Sequence, residues 1–272
     1  MKVAEIALST CVVALGAFIS VQIRDIRRDE LTTKPSTTVA TAPGTVDSTL
    51  TFPTESEPRR SDLVERPLMG AEPTLEPREL LRRVSQGAQG TYIDELLSTR
   101  DSSLARWPEH VTEPLRVWIA EPNALTGWNS EFPASIRDAF DQWVQTGIPM
   151  RFTFVNDSAS ADVHVQFIPK FATGISGKTL WSRSSTWWME SGDIVLSLSH
   201  PNGGPLTSLQ MRAIALHEVG HLLGLDHTGD ATNIMSARVR VRDLSDADRA
   251  TIRLLYSVPA GSTRSVSDGS AH

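Results

Sequence analysis

Residues 217–227 read His-Glu-Val-Gly-His-Leu-Leu-Gly-Leu-Asp-His, and no other stretch restricts the fold and chemistry of this chain as strongly. His217 and His221 are four apart, so on a helix both imidazoles leave one face about one turn from each other. Two such rings suit one tetrahedral metal, and neutral imidazole suits zinc. Glu218 stands beside the first ring, where a carboxylate can reach a metal-bound water and take its proton. Gly224 can adopt a positive φ, end the helix and turn the chain. The turn can bring His227 back as a third ligand. Three protein ligands leave a fourth position for water, the pattern of catalytic rather than structural zinc. Two blander readings compete. One is a helix end with surface histidines, the other a zinc site kept for structure or binding. A bare His-Glu-x-x-His is a hint; the longer pattern, with three of the chain's seven histidines, is far more specific.

The rest of the composition sets bounds. With 272 residues and 40% hydrophobic content, the expectation is one ordinary domain with extensions. A net charge of −6 gives no electrostatic case for nucleic acid as a partner. Cys11 is the only cysteine, so no intramolecular disulfide can form.

Residues 1–28 read as a signal peptide or membrane anchor. Positions 3–23 are mostly apolar, with Arg24, Arg27 and Arg28 after them, and about 20 apolar residues span a bilayer as a helix. A cleaved signal needs a shorter core and a small-residue site, for which Ala14-Leu15-Gly16 is the candidate. Residues 29–78 are rich in Thr, Pro, Ser and Glu and read as a disordered linker that cannot offset its ordering entropy. In 79–111, Leu80, Leu81 and Val84, then Tyr92, Ile93, Leu96 and Leu97, recur at helical spacing. This is a helical leader packed on the domain C-terminal to it, or a propeptide-like segment in which Asp94, Glu95 or Asp101 blocks a metal.

Leu115–Ala120 reads as a strand. Phe132, Ile136, Phe140, Trp143 and Val144 form one apolar helical stripe, stopped by Gly147 and Pro149. Arg151–Val155 and Asp162–Ile168 alternate as half-buried strands do, and Ile194–Ser199 is another strand. Thr207 and Gln210 fit a capping box before the histidine helix, in which Met211, Ala215, Val219 and Leu222 form a core-facing row. Ser245 and Asp248 fit a second box. Residues 259–272 read as a disordered tail.

The eleven-residue run resembles the metzincin signature. Asn233-Ile234-Met235-Ser236 resembles the Met-turn of that clan, and 244–256 is similar to the closing helix of the matrixin family. The resemblance covers about 112–258 and implies an α+β metzincin-type catalytic domain, a twisted mixed β-sheet backed by helices. It further implies a zinc endopeptidase of protein or peptide substrates. Glu218 would be the general base and His217, His221 and His227 the ligands of one Zn2+. Met235 would pack beneath the metal as a non-ligand, Gly224 would turn the chain, and Asp248 would bond the Met-turn backbone. An edge strand above the cleft would receive substrate by strand addition. Arg238, Arg240 and Arg242 fall where the family builds a specificity-pocket wall. The family's cysteine latency mechanism is excluded, since no cysteine is in reach. Phe171–Met189 contains neither His nor Asp, so a structural zinc and calcium sites are not expected. A monomer outside the cytoplasm is expected, secreted or tethered by its N-terminal segment. The alternative is a non-catalytic zinc-containing surface binding module.

Overall fold

The computed structural model describes residues 52–58 and 73–264. The N-terminal apolar stretch lies outside them. Among the described residues no helix is long and apolar enough to cross a membrane. In chain order the first element is strand β1 (Phe52–Pro58). Helix α1 (Pro77–Gly87) starts on a proline, where a missing N–H costs nothing, and buries Leu80 and Val84. Gly90, at φ +75, turns the chain into α2 (Ile93–Thr99), which buries Ile93, Leu96 and Leu97. The short strand β2 (Ser103–Leu104) and the long β3 (His110–Ile119) come next. Pro114 offers no ladder N–H, and the β3 register shifts between His110 and Leu115.

Helix α3 (Phe132–Val144) carries the expected stripe inward and gives way to Gly147, at φ +89. After it stand β4 (Met150–Val155), β5 (Val163–Ile168), β6 (Gly177–Arg183) and β7 (Met189–Ser197). Helix α4 (Ser208–Leu222), strand β8 (Arg238–Val239), helix α5 (Asp246–Ser257) and strand β9 (Gly261–Ser262) complete the described chain. Both expected capping boxes are formed, Thr207 with Gln210 and Ser245 with Asp248.

Seven strands make one mixed sheet in the order β4-β3-β5-β7-β6-β1-β8. Strands β4, β3, β5 and β7 are mutually parallel, whereas β6 runs antiparallel to β7. Helices α3 and α4 pack along each other, and Trp143 Nε1 donates to Leu216 O at 2.8 Å. Phe140 meets Phe152 edge-on, with centroids 4.8 Å apart. Leu80, Ile93 and Leu96 of the leader belong to the same core as Leu216 and Ile252.

At four points the structure differs from the sequence reading or adds to it. Strand β6 is absent from the sequence reading, because Thr179 and Ser182 among its inward residues hide the period-two alternation. Helix α4 is buried from Ala213 through Leu222 on every side rather than on one row, because the sheet, α3 and the leader enclose it. Residues 261–262, read as tail, pair with β2. Residues 52–58, read as linker, form β1, which runs parallel to β6 from Thr54 to Pro58 and antiparallel to β8 at Phe52 and Pro53. The edge of β6 therefore carries a strand of the same chain. Composition misses this because an open sheet edge recruits backbone N–H and C=O groups whatever the side chains.

Candidate metal centre

The site is built on the last two turns of α4 and the loop after it. His217, Glu218 and His221 are fully buried. The helix ends at Leu223, and Gly224 takes φ +103. A β-carbon there would run into Ala105 O, so the position requires glycine for its backbone angle and for the close approach of the leader. Leu225 N donates to Gly220 O at 2.9 Å, and the chain returns with His227 beside the helix. The three rings stand 4.6, 4.8 and 5.3 Å apart by centroid. Each offers one ring nitrogen, and these lie within 4.8 Å of one another.

The partners fix the tautomers. His217 Nδ1 lies 2.6 Å from Ile234 O, and His221 Nδ1 lies 3.1 Å from Leu225 O. A carbonyl only accepts, so Nδ1 carries the hydrogen in both rings and the lone pair sits on Nε2. Burial, with the neighbouring His227, pushes His217 down to about 3 against the opposing Ile234 bond. Burial also holds His221 well below its usual value, and lowers His227. Neutral imidazoles at pH 7 are what a divalent metal ligand set needs.

Glu218 completes the centre. Thr179 Oγ1 donates to Glu218 Oε2 at 2.6 Å, while Oε1 is buried without a hydrogen-bond partner. An orphaned buried acceptor beside three convergent imidazoles fits a metal ion that carries a water. Burial raises this carboxyl to about 8, against the lowering effect of the Thr179 bond. Gly177 lies over the same side chain, since a β-carbon there would overlap the Glu218 carboxylate.

Beneath the rings lies the 233–236 turn. Met235 is buried, with its sulfur packed against Gly220. Asp248 Oδ2 accepts from Ile234 N at 2.8 Å and from Ser245 N at 2.9 Å. One carboxylate thus caps α5 and holds the turn whose Ile234 carbonyl meets His217.

Residues 118–257 match the matrixin family of peptidases. This chain belongs to the matrixin family. It is similar to Metalloendoproteinase 1 of Glycine max, 26% identical over 176 residues that cover 57% of this chain and 54% of the relative. It is also similar to Metalloendoproteinase 1-MMP of Arabidopsis thaliana, 29% identical over 163 residues covering 55% and 44%. The chain spans about half the length of the curated relatives it matches.

Other histidines, tryptophans and charged residues of this matrixin stand outside the three-ring cluster. His164 sits on β5, with Nε2 2.9 Å from Ser158 O and Nδ1 3.4 Å from Asp193. His200 belongs to the turn after β7. Trp188 is buried in the core, and Trp187 lies half-buried under the Arg183 guanidinium at 3.5 Å. Arg238, Arg240 and Arg242 lie past the 233–236 turn, the first of them exposed on β8. Asp101 pairs with Arg264. Glu95 bonds Thr228 and Gly229, next to His227, rather than crossing the ring nitrogens. Sequence reasoning missed Thr179 and Gly177, which lie on the strand it did not foresee. It also missed Gly220, where a β-carbon would meet the Met235 sulfur and the Trp143 ring.

Proposed function

We propose that this matrixin is a zinc-dependent endopeptidase acting on protein or peptide substrates. The observation that carries the reading is Glu218: a buried carboxylate with one oxygen held by Thr179 and the other without a partner, beside three converging imidazoles. His217, His221 and His227 would each hold the ion through one ring nitrogen. Zinc bound there would lower the pKa of a water from 15.7 to about 7 and polarise the scissile carbonyl. Glu218 Oε1 would act as the base that takes a proton from a water on the ion and passes it to the leaving amine, a role worth ~10²–10⁴-fold in rate, and a cation held beside it would oppose the burial that raises this carboxyl. Thr179 keeps the other oxygen of that carboxylate in place. Met235 supports the ring cluster from below and is no ligand. Asp248 keeps the underlying turn, and through Ile234 O the His217 ring, in register.

Substrate would lie extended along β6 by strand addition. β1 pairs with that edge, so a substrate must take over hydrogen bonds that β1 makes. One zinc serves the reaction; Phe171–Met189, with neither His nor Asp, supplies no second zinc or calcium site. Residues 1–28 carry the domain out of the cytoplasm, secreted or tethered, as a monomer.

Hydrolysis of denatured casein tests this, with the full chain and with a chain starting at residue 73, each with and without a zinc chelator, beside Glu218→Ala. Cleavage that the chelator stops, and that Glu218→Ala loses while keeping its zinc, is expected. Zinc-loaded wild type that cuts in neither form would instead favour a non-catalytic surface binding module.

A further inference from the structure

The family match begins at residue 118, yet residues 92–100 reach the histidine cluster by two routes. Arg100 is 9% exposed. Its Nη1 donates to Gly224 O at 2.5 Å, its Nη2 to Leu225 O at 2.7 Å and its Nε to Asp226 Oδ2 at 3.2 Å. The guanidinium also stacks 5.3 Å from the Trp181 ring. Thr99 Oγ1 donates to the same Asp226 oxygen at 3.1 Å, and Asp226 Oδ1 accepts from His227 N at 2.8 Å. Beyond His227, Glu95 accepts from Thr228 Oγ1 at 3.0 Å and from Gly229 N at 2.7 Å. The segments before and after His227 are therefore tied to one short helix and its last turn. The second route runs from Tyr92 Oη to Asp248 Oδ1 at 3.0 Å, from Asp248 Oδ2 to Ile234 N, and from Ile234 O to His217.

His227 differs from its two partners in where it sits. His217 and His221 are held by α4, whereas His227 is on a loop between α4 and β8. A loop ligand must be ordered when metal binds, at an entropy cost of about 1–2 kcal/mol per residue, unless the fold has ordered it beforehand. A planar guanidinium fork on two successive carbonyls, with a carboxylate on the following amide, supplies that order.

We propose that Arg100 and Glu95 are positioning residues that preorganise His227 for metal ligation, so that the metal-binding unit of this protein begins near residue 92, before the residues that match the family model. This rests on the zinc reading of the site. A purely packing role for the same contacts would change the stability of the metal-free protein and leave metal affinity alone; a positioning role lowers metal affinity and alters the geometry at the metal.

The test uses the full chain with Glu95→Ala, Arg100→Lys and, as control, Glu79→Ala, whose carboxylate pairs with Arg82 and Arg83 on the exposed face of α1. Zinc affinity is measured by competition with a chromophoric chelator, the cobalt(II)-substituted protein by its visible spectrum, and the metal-free proteins by thermal melting. Glu95→Ala and Arg100→Lys are expected to bind zinc about 10–100-fold more weakly and to shift the cobalt bands. Metal-free Glu95→Ala should remain folded with a cooperative melt, and Glu79→Ala should match the wild type throughout. Glu95→Gln, whose amide oxygen still accepts from Gly229 N, should recover part of the loss. Zinc affinity in Glu95→Ala within about twofold of wild type, with an unchanged cobalt spectrum, overturns the proposal, and that variant decides alone if Arg100→Lys does not fold. A wild type that binds no zinc overturns the metal-centre reading, and this proposal with it.

Discussion

Gly224 meets two requirements at one residue, a positive φ and the close approach of Ala105 O. Gly224→Ala adds a left-handed penalty of about 1–2 kcal/mol and a clash with backbone that no rotamer relieves. The expected result is a lower melting temperature together with weaker zinc binding, both measurable on the purified variant; retained affinity at wild-type stability would contradict it. His164 makes a different prediction. Its pKa is raised, first by the Asp193 carboxylate and also by the Ser158 carbonyl, against desolvation. A raised folded pKa means that the protonated ring stabilises the fold below its ordinary value near 6.5, and that this is lost as pH rises through the folded value. The stability difference between wild type and His164→Gln should therefore be larger at about pH 5.5 than at about pH 8.5. Urea titrations at both values check it.

At the scale of elements, β1 is the part that composition could not reveal. Its pairing rests on backbone groups, and its sequence, Phe-Pro-Thr-Glu-Ser-Glu-Pro, has neither alternation nor apolar density. β6 escaped for a related reason, since its buried Thr179 and Ser182 read as polar. By contrast, both capping boxes and the α3 stripe were legible, because caps and helical periodicity depend on neighbours in sequence. Since β1 pairs with β6 and lies against α4, a chain starting at residue 73 should cleave an extended peptide with a lower KM than the full chain, at similar kcat. Equal KM values for the two forms would show that β1 does not compete with substrate.

Across the whole molecule, the zinc motif and the 233–236 turn were legible because their residues lie close together in sequence. The convergence of the leader on the same centre was not. Arg100 and Gly224, or Tyr92 and Asp248, are separated by 124 and 156 positions, and no local pattern links them. One consequence is global. If metal binds only the folded chain, it stabilises by about 4.1 kcal/mol at a thousand times its Kd. A chelator should therefore lower the melting temperature of the entire 73–264 unit in one transition, monitored by circular dichroism. Two separated transitions would mean that the leader folds independently of the metal centre.

That β1 belongs to the same chain has a kinetic meaning. Its hold on the β6 edge is first order, so dilution does not release it. The chain joins it covalently to the domain, so its pairing with β6 is intramolecular. A free peptide must therefore match the effective concentration of a covalently joined strand before it competes for the same backbone hydrogen bonds. The same pairing denies the β6 edge to a second molecule, so β1 also guards the sheet against edge-to-edge association there.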